Sequence, residues 1–376
     1  MDDTSRPCRV LWLVKGLGPG GAERLLVSAA TVGDRKRFSY EAAYLVPAKD
    51  HLVPALERRG VPVHCLAARR ALDLRWTARL RHLLVERRFD VVHLHSPLVA
   101  GLARPVVRSL PAALRPVLVS TEHNVWPSYH PGTRLVNGAT AFLDDARLAV
   151  SETVHSSVPA RLRKGMQVIV NGVDVDAARE HLRFRDEVRA ELGIGAAEVV
   201  VGTVANLRRA KAYPDLLAAA RRVIDAQPAA RFVAVGQGPL EPEIRALHHR
   251  LDLGDRFLLL GYREDALRVL AGCDVFALAS HNEGFPVAVM EALALGIPIV
   301  GTAVGAIPQA VSDGVHGRIV PPGRPDLLGD AIVELVADAS LRRRMAGAAA
   351  VRGRDFPIDR AVADVEAVYR SVVGMR

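Results

Sequence analysis

The stretch RVLWLVKGLGPGGAERLLVSAATV, residues 9–32, sets a short apolar run, a glycine loop and a helix-forming segment end to end. The run RVLWLV is bounded by glycines and reads as a buried strand of a parallel sheet. Gly16, Gly18 and Gly21 fit G-x-G-x-x-G, a spacing that lets main-chain N–H groups approach a phosphate at a helix N-terminus. Three readings of the loop stand: a dinucleotide cradle, a loop facing some other phosphate, and a tight turn. A dinucleotide cradle wants an acid near the end of the second strand, and YLVPAKD brings none before Asp50.

The pattern continues outward from there. YEAAYLV (40–46), VPVHCL (61–66), DVVHLH (90–95) and PVLVSTEH (116–123) read as strands, with helices near 51–59 and over 73–88 between them. It restarts with VVVGTVAN (199–206), ARFVAVGQG (230–238), RFLLLG (256–261), CDVFALAS (273–280) and IPIVGT (297–302). Strands alternating with helices imply βαβ units, so the fold class is α/β with a doubly wound sheet in each half. Ligands are then expected beyond the C-terminal ends of the strands. The turn-rich VIVNGVDVDAAR (168–179) is the natural hinge.

A chain of 376 residues suits two domains at roughly 150 residues each. MDDTSRPCR is polar and acidic, unlike a signal peptide. The longest apolar candidate, residues 292–311, is cut by Gly296, Pro298, Gly301, Gly305 and Pro308, so no membrane span is expected. Cys8, Cys65 and Cys273 share no metal-type spacing and cannot all pair, which suggests a reduced, cytoplasmic chain. Charge is uneven: residues 1–172 hold 25 Lys/Arg against 14 Asp/Glu, and residues 173–376 hold 25 against 27. Different partners for the two halves are the expectation, with nucleic acid not among them.

Three further stretches carry chemistry. TVANLRRAKAYPDLL (203–217) sets Arg208, Arg209 and Lys211 after the first strand of the second half, where cations suit a diphosphate. HNEGFPVAVMEALALGIPIVGT (281–302) places Glu283 and Glu291 around a helix that Pro286 can open. On one regular helix eight residues span about 12 Å, too far for a pair acting on one glycosidic bond. Two anchors on one extended ligand fit better, with the N–H groups of Gly284, Phe285 and Val287 available to a phosphate. Finally, ARRALDLRWTARLRHLLVERR (68–88) reads as a helix with Leu72, Trp76, Leu80 and Leu83 in a stripe flanked by arginines. The stripe packs on its own sheet, or the basic face docks on an anionic membrane surface.

The 281–302 stretch resembles the E-x7-E signature of glycosyltransferase family 4, retaining enzymes of the two-Rossmann GT-B fold. GPGGAER, VNGVD (170–174), VGQGPLEPEI and GAIPQAVSDGVHGRIVPPGRPDLLGDAI resemble the family's other segments in order, across nearly the whole chain. The resemblance implies two Rossmann-like domains facing across a cleft: an acceptor domain over 1–171, completed by a crossover helix in 355–376, and a donor domain over 172–354. It implies a nucleoside-diphosphate sugar, UDP- or GDP-linked, as co-substrate, and a glycan, lipid-linked or small-molecule acceptor.

Carried over position by position, Glu283 would hold donor-sugar hydroxyls and Glu291 the ribose, with the amides of Gly284 to Val287 at the diphosphate. Gly20, Gly21 and Gly236 fall in the family's glycine segments. Tyr262 and Arg263 would lie near the base, Lys211 at the diphosphate, and His123, in STEHN, near the transferred sugar and the acceptor. The chain departs from the family at Asn206, where an arginine is usual; Arg208 is the candidate replacement. No metal or other cofactor is implied, although His93, His95 and His123 could mimic a metal cluster and DVD (174–176) a metal-binding pair. The competing functions are a non-catalytic sugar-nucleotide or lipid-binding regulator on the same fold, and a nicotinamide oxidoreductase. The expected location is cytoplasmic or peripheral on the inner face of the membrane.

Overall fold

The structure, a computed structural model, describes residues 6–68 and 73–374. It divides into two compact units, Met1–Gly172 with Ile358–Arg376, and Val173–Pro357.

In the first unit β1 (Cys8–Val14), β2 (Phe38–Tyr44), β3 (Val63–Cys65), β4 (Val91–Leu94), β5 (Val117–Glu122), β6 (Ala146–Ala149) and β7 (Gln167–Val168) form one parallel sheet in the order β3-β2-β1-β4-β5-β6-β7. The chain winds outward from β1 to β3 and returns to place β4 beside β1, with Trp12 opposite His93. Alternation along β1 divides the core. Val10, Trp12 and Val14 pack with the helices Gly21–Val32 and Ile358–Gly374, whereas Leu11 and Leu13 pack with Arg75–Arg87 and Pro97–Arg108. A strand buried on both faces reads as an unbroken apolar run, which is why RVLWLV was legible.

The second unit repeats the plan with β8 (Val199–Val204), β9 (Ala230–Val235), β10 (Phe257–Leu259), β11 (Val275–Leu278), β12 (Ile299–Thr302) and β13 (Gly317–Val320), ordered β10-β9-β8-β11-β12-β13 and all parallel. Its reversal of strand order lies between β8 and β11, so the loops leaving those strands are neighbours.

Sequence periodicity did not indicate β6, β7 or β13. β6 is four residues long and contains Arg147, whose guanidinium reaches the carbonyls of Leu162 and Lys164. β13 opens on Gly317, at φ 153°, where a Cβ would meet the Ile299 carbonyl oxygen at 1.8 Å. A glycine that admits a neighbouring strand looks, in sequence, like a turn.

The basic helix runs Arg75–Arg87, and residues 69–72, including Leu72 of the expected stripe, lie outside the described residues. Trp76, Leu80, Leu83 and Leu84 are buried in the core. Arg79 donates to the carbonyls of Leu66 and Ala67, and Arg87 to Glu41. The stripe therefore serves the unit's own core. No described helix is long and apolar enough to cross a membrane.

Candidate functional site

In the second unit the site is built where β8 and β11 end. After β8 the chain forms a single 3-10 turn, Arg209–Lys211, and passes through Ala212 at φ 46° into the helix Tyr213–Ala226. The Tyr213 hydroxyl donates to the Ala205 carbonyl at 2.8 Å and fixes this re-entry. The loop leaving β11 is tied to that turn by His281 N–H donating to the Ala210 carbonyl at 2.8 Å, and by His281 Nε2 at 2.8 Å from Asp215.

This stitching brings Lys211 and Glu283 together. Lys211 Nζ donates to Glu283 Oε1 at 2.6 Å, and Ser280 Oγ donates to the same oxygen at 2.6 Å. Ser280 is held by its own carbonyl, which accepts from Thr302 Oγ1 at 2.6 Å. Glu283 is 5 % exposed, so its charge is matched by Lys211 rather than by water. Gly305, at φ 56°, lets the following loop lie on Glu283; a Cβ there would meet the Glu283 carbonyl oxygen at 2.2 Å.

Beyond Glu283 the helix Val287–Ala294 begins, with Pro286 at its cap. Phe285 is buried edge-on against Phe356, ring centroids 5.4 Å apart. No hydrogen bond among the described residues takes the N–H of Gly284, Phe285, Val287 or Ala288. Four undirected donors at a helix N-terminus form an anion-binding surface. Glu291 follows in the helix and is half-buried. Because Glu283 precedes the helix, the 12 Å ladder spacing does not describe the pair.

Arg208 and Arg209 are exposed beside this surface and have no ion pair among the described residues. The main-chain N–H of Arg208 donates to the carbonyl of Asn206 at 2.8 Å, so the residue that departs from the family pattern holds the arginine's backbone. Gly236, at φ 158°, lets its backbone pass the Ala205 carbonyl, where a Cβ would approach to 2.0 Å. Arg263 lies in the loop after β10. Its guanidinium grips Asp265 through two bonds of 2.7 and 2.8 Å and reaches Glu191 at 2.9 Å. Its donors are engaged in a surface ion-pair cluster.

The first unit offers different chemistry. His93 and His95 on β4 and its exit, and His123 just after β5, share one face of the sheet. His93 is saturated, with Tyr369 at 2.5 Å on Nδ1 and Thr121 at 2.7 Å on Nε2. His95 Nδ1 lies 3.1 Å from His123 Nε2, and the buried His95 Nε2 has no partner. Burial pushes His93 down to about 3 and His123 to about 4, and holds His95 well below its ordinary value; all three are neutral near pH 7. The sequence groups His95 with His93 and His123 only as a possible metal mimic, and the structure adds its direct contact with His123. The two-residue alternation of His93 and His95, set beside that of Thr121 and His123, was the available signal.

Among the described residues no three His, Cys, Asp or Glu side chains form a metal-binding group. Asp174 of the DVD stretch caps the helix Val175–Glu180, accepting from Ala177 N–H at 3.0 Å. The glycine loop behaves as a turn with its own anion: the Glu23 carboxylate folds back over Gly20, 2.1 Å from where a Cβ would stand. A phosphate at Gly20 and Gly21 would have to displace it.

Residues 184–352 match the family described as Glycosyl transferases group 1, and residues 19–177 match Glycosyltransferase Family 4. The N-acetyl-alpha-D-glucosaminyl L-malate synthase of Bacillus anthracis is 24% identical over 310 residues, 80% of each chain. The D-inositol 3-phosphate glycosyltransferase of Actinosynnema mirum is 29% identical over 302 residues, 75% of this chain and 72% of its own. Among solved structures, Anabaena HepE in complex with UDP and glucose matches with a TM-score of 0.82 at 21% identity, over 97% of this chain and 100% of the other. The fold is GT-B, with two Rossmann-like domains. With its two halves matched in order by the family's two parts, the chain belongs to glycosyltransferase family 4 and is a transferase enzyme.

Proposed function

We propose that this enzyme is a retaining glycosyltransferase that takes a UDP-linked sugar at the second unit and transfers it to an alcohol acceptor held by the first. The observation that carries the donor assignment is the Lys211–Glu283 contact of 2.6 Å set against four unengaged main-chain N–H groups. The amides and the exposed Arg208 and Arg209 supply positive potential for a diphosphate. Lys211 offsets the charge of Glu283, which would otherwise repel it. Both bonds to Glu283 fall on Oε1, so Oε2 is open to a sugar hydroxyl, and Glu291 takes the ribose.

In transfer the bond from sugar C1 to the diphosphate breaks and a bond from C1 to the acceptor oxygen forms on the same face. The acceptor proton goes to the departing diphosphate. The protein's main contribution is preorganised charge at the leaving group. UDP is preferred over GDP because the matched Anabaena structure holds UDP. No resident metal is required by this scheme.

A thermal-shift panel of UDP-, GDP- and ADP-sugars tests the reading, since a bound ligand raises the melting temperature by mass action. A shift with UDP-sugars is expected. A shift with NADH and none with any sugar nucleotide would overturn the reading in favour of a nicotinamide enzyme.

A further inference from the structure

A cavity of about 80 Å³ lies wholly within the first unit, between one face of its sheet and the helices Gly21–Val32 and Ile358–Gly374. Strand register orients it. Its lining includes Trp12 on β1 and Leu148 on β6, then His93 and Thr121, then His95 and His123 where β4 and β5 end. Asn171 and Gly172 also line it at that end, after β7. The cavity therefore runs from the C-terminal edge of the sheet, beside His123, down into hydrocarbon supplied by Leu25, Leu26, Ala29, Val362 and Val365.

Its chemistry limits what can enter. Among the described residues it is lined by no Lys or Arg. Its one carboxylate, Glu366, already accepts from the Tyr40 hydroxyl at 2.5 Å and from Asp34 N–H at 2.9 Å. An anionic group would meet that carboxylate with no cation to offset it, and a polyol would find walls that are mostly hydrocarbon, with Tyr40, Glu366, His93, Thr121 and Tyr369 already bonded among themselves. The polar capacity is concentrated at the mouth. There His95 Nε2 is buried without a partner, and the other nitrogen of His123, Nδ1, makes no hydrogen bond among the described residues. Burial keeps both rings neutral, so each can donate or accept according to its tautomer.

We propose that this cavity anchors the acceptor: it takes a compact apolar group, on the order of one six-membered ring or a branched alkyl group of similar size, carried by an uncharged alcohol whose hydroxyl stays at His123. The assignment rests on the transferase reading and narrows it. Acceptors with such a group are favoured over free sugars and over phosphorylated acceptors. Burying a ring of that size changes affinity by roughly tenfold to a hundredfold.

Trp12 supplies the readout, because it lines the cavity and is 3 % exposed. The probe is 4-bromobenzyl alcohol, whose bromine quenches indole fluorescence on contact. The full-length protein should show saturable quenching, and Trp12→Phe should remove it. Val365→Phe and, independently, Ala361→Phe fill the cavity from the last helix; each should weaken probe binding at least tenfold. Each should also lower kcat/KM for transfer from UDP-glucose to the probe by a similar factor. Both variants should bind UDP like the wild type in calorimetry, and an unchanged near-ultraviolet circular dichroism spectrum reports that their first unit folds. Quenching that does not saturate, or that survives both filling substitutions in proteins that still bind UDP, would overturn the cavity assignment while leaving the donor reading intact. Saturable, fill-sensitive quenching in a wild-type protein that binds no UDP-, GDP- or ADP-sugar would overturn the acceptor role together with the donor reading.

Discussion

The two units share one sheet plan and carry opposite sites. At the strand ends of the second unit, a lysine, two arginines and four N–H groups without partners among the described residues surround a buried carboxylate. At the strand ends of the first, three neutral histidines border an apolar cavity. Net charge points the other way: residues 1–172 carry 25 Lys/Arg against 14 Asp/Glu, residues 173–376 carry 25 against 27. Domain totals describe solvent-facing surface, whereas a site is set by the few groups on its loops. A doubly wound sheet fixes where a site is, and its exit loops fix what the site binds.

The sharpest way to break the comparison is to remove the carboxylate. Glu283→Gln should abolish transfer while leaving UDP affinity within a few-fold, because the residue addresses the sugar; steady-state kinetics beside calorimetry checks both. A parallel loss of nucleotide binding would return Glu283 to a structural role. Next comes charge at the leaving group. Lys211→Ala should lower kcat/KM by about 10²–10³, the loss seen for one preorganised donor, and Arg208→Ala should do likewise. Near-wild-type turnover in the Arg208 variant would move that duty to Arg209.

The first unit should respond to pH rather than to nucleotide. His93 and His123 are held near 3 and 4, below an ordinary 6.5, so the fold favours their neutral forms. That contribution is complete above pH 6.5 and is lost as pH falls from 6.5 toward 4. Thermal melts across that window should show a falling midpoint, with a shallower slope for His123→Asn; an equal slope would place the sensitivity elsewhere. The smallest effect concerns lipid. With Trp76, Leu80 and Leu83 in the core, attachment of the Arg75–Arg87 helix to phosphatidylglycerol vesicles draws chiefly on charge, about 1 kcal/mol per residue. Co-sedimentation should vanish near 0.5 M salt and weaken with Arg75→Glu plus Arg81→Glu. Persistence at that salt would reveal an apolar anchor.

Much of this was legible beforehand, for identifiable reasons. Central strands such as VVVGTV are buried on both faces and so form apolar runs, while β13 opens on a glycine and β6 carries Arg147. The stripe of the basic helix had the right period, but periodicity does not say whether an apolar face meets a sheet or a bilayer. The Arg263 side chain pairs with Asp265, two residues on, a contact that the spacing in YREDA already offers. Lys211 and Glu283 were each named, but their contact spans 72 residues of chain and exists only through the β8–β11 pairing. His95 was seen only as a possible metal mimic, because its partner is on another strand.

The most direct test of the division of labour is calorimetric titration of UDP into the full-length protein and two variants, Glu291→Ala and His123→Ala. The account predicts at least a tenfold loss of UDP affinity for Glu291→Ala and less than a twofold change for His123→Ala. Unchanged affinity in the first, or a tenfold loss in the second, would contradict it.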